Sequence, residues 1–98
     1  MVRTAAVTAA LVFISCGAAA QDGQKLASAC AICHGTQGKP ATGAPLIPLA
    51  GLPRDHIATQ MRAFRDGNRP ATVMHQIAKG YTEAQIEAIA AWYAAQPR

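Results

Sequence analysis

Cys30-Ala31-Ile32-Cys33-His34 decides how this 98-residue chain is read. Two thiols three positions apart stand about one helical turn from each other, and the histidine follows the second directly. That spacing suits thioether bonds to the two vinyl groups on one edge of a haem, with the imidazole lying under the iron as its proximal ligand. A bare C-x-x-C is shared with redox dithiols and half zinc sites, so the rest of the chain must discriminate. A structural zinc site wants four ligands. Outside the motif only Cys16, His56 and His75 remain, with no pair at ligand spacing. A thioredoxin-like dithiol opens a helix after a buried strand, whereas residues 21–29 hold no β-branched side chain at all. Cys30, Cys33 and His34 are therefore read as haem-binding.

Upstream of the motif, residues 1–20 read as an export signal. Arg3 supplies a positive start, Ala5 to Ile14 an apolar stretch, and Ala18-Ala19-Ala20 a small-residue cleavage site. The apolar stretch is too short and too alanine-rich for a good membrane span. Cleavage after Ala20 leaves residues 21–98 as one domain and discards Cys16, so both remaining thiols are available to haem. The alternative takes Cys16 as a lipidated N-terminus, with Phe13-Ile14-Ser15 a loose match to the box that precedes one.

A domain of 78 residues has little core of its own. A covalently held haem supplies the missing apolar volume. The charge of +4 excludes less than it suggests. Without Arg3 it is +3, and two ionised haem carboxylates bring it near +1. No Lys/Arg run and no set of base-stacking aromatics points to nucleic acid. Arg62, Arg65 and Arg69 could steer an acidic partner, but a solvated helix face is the preferred reading.

The remaining pattern is helical throughout. Asp22 is placed to cap a first helix that runs through Leu26 into the motif, and Gly35 breaks it. Residues 36–52, with glycines at 38, 43 and 51 and prolines at 40, 45 and 48, form a long loop whose Leu46, Ile47 and Leu49 need a surface to bury against. Pro53 opens a second helix that Gly67 stops. Its Ile57, Met61 and Phe64 make the buried stripe, while Arg54, Arg62, Arg65 and Asp66 face water. A short segment follows Met74 and ends at Gly80. Thr82 and Gln85 form a capping box for the last helix, which buries Ile86, Ile89, Ala90 and Tyr93 and stops at Gln96-Pro97.

A proximal histidine leaves one axial position. Met61 lies on an apolar helical stripe and is read as core; His56, in a first turn beside Arg54 and Asp55, is read as exposed. Met74 follows the irregular run Arg69-Pro70-Ala71-Thr72-Val73, which can carry a thioether over the far face of the haem. His75 is its rival, but adjacent side chains in a helical turn diverge by roughly 100° and only one can point at the iron. Met74 is the preferred distal ligand.

A C-x-x-C-H near the mature N-terminus, a Pro-rich loop, a distal Met and a C-terminal helix bearing Trp92 resemble the small class I c-type cytochromes over the whole mature chain. That resemblance implies an all-α class I cytochrome c fold, short helices wrapped around one haem c, attached outside the cytoplasm and so in the periplasm. Pro48-Leu49-Ala50-Gly51, Phe64 to Arg69, and Met74 through Thr82 look like the cytochrome subunit of flavocytochrome c sulfide dehydrogenase. Larger members carry two haem domains; this chain has one motif. The resemblance further implies a loop carbonyl near Pro45 accepting the Nδ1 proton of His34, and Trp92 packed near Gly23 and Leu26. The expected function is single-electron transfer through a His34/Met74-ligated haem, as the electron outlet of a sulfide-oxidising flavoprotein and without catalysis of its own. The edge near Ala31 and Ile32 would be the port. A freely diffusing periplasmic shuttle is the alternative; a haem enzyme or gas sensor would need an open sixth site, against which Met74 argues.

Overall fold

The computed structural model describes residues 2–11 and 16–98. Its helices are α1 (Cys16–Ser28), α2 (Ala31–His34), α3 (Arg54–Arg65), α4 (Met74–Ala78) and α5 (Glu83–Ala94), with a 3-10 turn at Thr36–Gly38. Among the described residues there is no strand, as the helical patterning requires, and no helix is long and apolar enough to cross a membrane. The expected apolar stretch from Ala5 to Ile14 falls partly outside the described residues, and so does the Cys16 side chain.

Asp22 does not cap the first helix. It is exposed inside α1, which begins at Cys16. Alanine is the best helix former, so the run before Asp22 carries the helix past the expected boundary. The other boundaries follow local chemistry. Pro53 stands as the N-cap of α3, and Gly67 takes φ 78° just beyond its end. The Asn68 amide donates to the Ala63 carbonyl at 2.9 Å, closing the last turn. At α5 the capping box is complete: the Gln85 amide donates to Thr82 Oγ1 (3.2 Å) and the Thr82 amide to Gln85 Oε1 (2.9 Å).

The first and last helices pair, and α3 packs on α5 and on α4. The core is Ile57, Ala58 and Met61 from α3, Ile86, Ile89, Ala90 and Tyr93 from α5, Ala27 from α1 and Ala78 from α4. Four of these nine are alanines, which lets helix backbones approach closely but fills little volume. Gly23 shows how close: a β-carbon there would lie 2.8 Å from the Ala88 carbonyl oxygen and 3.2 Å from Trp92 Cβ, the expected Trp92–Gly23 contact. Tyr93 donates its hydroxyl to the Ala27 carbonyl at 2.8 Å and ties α5 to α1.

The α3–α5 face is closed by ion pairs. Arg54 meets Glu87 at 2.9 Å, Arg62 meets Glu83 at 2.9 Å and also Glu87, and Arg65 meets Glu83 at 2.7 Å and Asp66 at 3.1 Å. Hydrogen bonds from Arg62 and its neighbours hold the Glu83 and Glu87 carboxyls below the usual carboxylate range. Arg62 and Arg65 are thus half-buried and spent on α5, not free on a water-facing stripe.

Candidate haem site

The motif sits at a corner. After α1 ends, the Cys30 amide donates to the Ala27 carbonyl (3.0 Å), and the Cys33 and His34 amides donate back to the Cys30 carbonyl (3.2 and 2.8 Å). This single turn puts both thiols and the imidazole on the wall of one cavity of about 620 Å³. Both cysteines are free thiols. Burial pushes the Cys30 thiol up. A redox dithiol needs the reverse, a thiolate stabilised at a helix start, so this microenvironment disfavours that alternative.

His34 is already oriented. Its Nδ1 lies 2.8 Å from the Ile47 carbonyl oxygen, which can only accept, so Nδ1 carries the proton and Nε2 has the free lone pair. The expected carbonyl near Pro45 is therefore that of Ile47, two residues further on. The loop geometry explains the shift. Gly38, at φ 76°, accepts from the Leu49 and Ala50 amides at 2.9 and 3.2 Å, and this closure fixes which carbonyl of the loop tip reaches the imidazole. Of the three apolar residues expected to bury, Leu49 packs against the core, whereas Leu46 and Ile47 line the cavity but stay 40 % and 56 % exposed.

Met74 opens α4 and lines the same cavity; His75, next to it, does not, and its Nδ1 is buried without a hydrogen-bond partner. Met61 also reaches the wall from the core, at 7 % exposure. His56 is exposed, as expected, yet stands on the same wall. Pattern reading did not place Gln60, Arg69, Tyr81 or Tyr93 there. Arg69 had looked like part of a surface patch; only the turn after Gly67, a tertiary matter, brings it to the cavity. The Ile32 side chain projects outward, 86 % exposed.

Among the described residues, no three His, Cys, Asp or Glu side chains converge as a protein-only metal site requires. A haem asks for less, because the porphyrin supplies the in-plane ligands and the protein supplies axial groups, a greasy wall and covalent anchors. An apolar cavity carrying two thiols, one pre-oriented imidazole and a thioether fits that group.

Comparison with known proteins agrees with this chemistry. A thiosulfate dehydrogenase electron acceptor of Thiomonas intermedia is 45 % identical over 69 residues, which is 68 % of this chain and 31 % of the relative. The cytochrome subunit of sulfide dehydrogenase of Chlorobaculum tepidum is 39 % identical over 71 residues, 72 % of this chain and 63 % of the relative. Cytochrome c-554(548) of Halomonas halodenitrificans is 35 % identical over 78 residues, 76 % of this chain and 92 % of the relative. The chain thus spans about a third of the first and under two thirds of the second. Together these relatives make this a small c-type-cytochrome-like protein. The family profile described as cytochrome C oxidase, cbb3-type, subunit III matches residues 18–92, and the chain belongs to that family.

Proposed function

We propose that this protein is a one-electron carrier of the periplasm in which Cys30 and Cys33 hold haem c through thioethers, His34 is the proximal ligand and Met74 the distal one. The observation that carries this reading is the convergence of these four side chains on one apolar cavity, with His34 oriented by the Ile47 carbonyl. Haem c, when bound, supplies a one-electron Fe(III)/Fe(II) couple. The Nδ1–H bond to Ile47 fixes the tautomer of His34 and aims Nε2. The Met74 thioether favours the reduced metal over what a second imidazole would give. Its position on the wall, with His75 off it, supports choosing between the two in that way. Residues 1–20, with Arg3 ahead of an apolar stretch, support export.

The donor we infer is a flavoprotein that oxidises a reduced sulfur compound, this chain being its electron outlet and not its catalyst. The segments Phe64–Arg69 and Met74–Thr82 and the Chlorobaculum relative favour sulfide as that compound. A free shuttle is the second reading, favoured by the Halomonas cytochrome, nearly all of whose length this chain covers. Acid-acetone extraction should leave colour on the polypeptide. Stopped-flow reduction by a sulfide-reduced flavoprotein should outpace reduction by sulfide alone. Extractable haem would refute the attachment; equal rates would leave the shuttle.

A further inference from the structure

Arg69 is the one Lys, Arg, Asp or Glu on the cavity wall among the described residues. The three arginines of α3 each meet a carboxylate of α5 or of its own end; Arg69, in the loop before α4, meets none among the described residues. Its guanidinium is nevertheless held in place by neutral partners. Nη1 donates to Gln60 Oε1, and Cζ stands 4.6 Å from the centroid of the Phe64 ring. The Arg69 amide donates to the Ala63 carbonyl at 3.2 Å, pinning the backbone as well.

This arrangement leaves Nε and Nη2 with no protein acceptor among the described residues, on a wall that is otherwise apolar apart from its ligand atoms, two tyrosines, Gln60 and His56. Arg69 is partly buried, and water reaches the cavity side of its guanidinium while the cavity is wet. An occupant that fills the cavity strips that share of the water, and a desolvated cation without a counter-charge is costly. An occupant that brings an anion to this spot is therefore favoured. A planar guanidinium fork is matched by a carboxylate, which it binds through two parallel N–H bonds. A haem carries carboxylates of its own.

We propose that Arg69, fixed by Gln60 and Phe64, binds a carboxylate of the haem and so anchors the edge of the ring that carries its carboxylates. Arg69 is a positioning residue and touches the macrocycle at its periphery, away from the iron. Pairing the carboxylate also removes an uncompensated negative charge that would otherwise stabilise the ferric state. The proposal rests on the haem reading above.

The test uses holoproteins carrying Arg69→Gln, Arg69→Lys or, as a control for bulk charge, Arg54→Gln. Covalent retention of haem in the wild type is checked first; if haem is extractable, the haem reading fails and this proposal falls with it. With haem retained, Arg69→Gln should displace the carboxylate-bending bands of the resonance Raman spectrum. It should also shift the Fe(III)/Fe(II) equilibrium toward the ferric state by about tenfold, or ~59 mV for one electron. Arg69→Lys keeps the charge but loses the fork, so it should recover most of the potential and leave the bands displaced. Arg54→Gln should move neither. Wild-type bands and potential in Arg69→Gln, or an equal shift in Arg54→Gln, would overturn the assignment. Should Arg69→Gln yield no holoprotein, Gln60→Ala releases Nη1 while keeping the charge; unmoved bands in that variant overturn it as well.

Discussion

Replacing Gly23 by alanine sets a favourable backbone effect against an unfavourable contact, and the structure decides which wins. Within a helix the change should gain about 1 kcal/mol of propensity. The new methyl, however, lands 2.8 Å from the Ala88 carbonyl oxygen and 3.2 Å from Trp92 Cβ. Neither atom can swing aside, since one belongs to the α5 backbone and the other is fixed directly to it. Overpacking of this kind costs roughly 1–3 kcal/mol, and contact with rigid atoms puts it near the upper end. The expected net loss is therefore about 1–2 kcal/mol, a fall in Tm of roughly 5–15 °C for a domain this small. Thermal unfolding followed by circular dichroism measures it, with Gln24→Ala, exposed on the same helix, reporting propensity alone. A Gly23→Ala protein as stable as the wild type, or more so, would refute the close α1–α5 approach.

Three other outcomes follow from the geometry. Met74→Ala should open the iron to carbon monoxide and abolish the thioether-to-iron charge-transfer band, whereas Met61→Ala should keep that band and cost about 2–5 kcal/mol of stability, which denaturant titration reads; the reverse pattern would make Met61 the ligand. Tyr93→Phe should cost only about 0.5–1.5 kcal/mol, because the Ala27 carbonyl keeps the Cys30 amide as a donor; chemical denaturation measures it. Glu83 and Glu87 have depressed folded-state pKa values, so their ion pairs stabilise the fold above the usual carboxylate range and cease to as pH falls through the folded values. The Tm gap between wild type and Glu87→Gln should accordingly be present at neutral pH, close on acidification, and narrow as salt rises.

The sequence could be read furthest where the information is local. The capping box needs only Thr82 and Gln85, so it was legible, and the C-x-x-C-H motif needs only five consecutive residues to be noticed. Asp22 misled because a cap is a good signal only where the preceding residues refuse the helix, and alanines do not. The partners of Arg62 and Arg65 lie on α5, up to 25 residues away along the chain; helical periodicity marks such residues polar but cannot say that two helices bring them together. The carbonyl that orients His34 was misplaced by two positions for a similar reason, since the tip of a loop is set by the hydrogen bonds at its base. Arg69 escaped altogether, because nothing in Gly67-Asn68-Arg69-Pro70 states that the chain turns inward.

The bond between Tyr93 and Ala27 joins residues 66 positions apart, and the α1–α5 pairing it belongs to is a statement about time as well as space. Chains emerge N-terminus first, so the first helix waits for the last before either can bury its face. Throughout that interval Cys30 and Cys33 lack the α5 wall that Ile89 and Tyr93 give their cavity. Closing so long a loop is also slow compared with forming a helix. The topology thus separates synthesis of the C-x-x-C-H motif from its enclosure by the last helix of the chain.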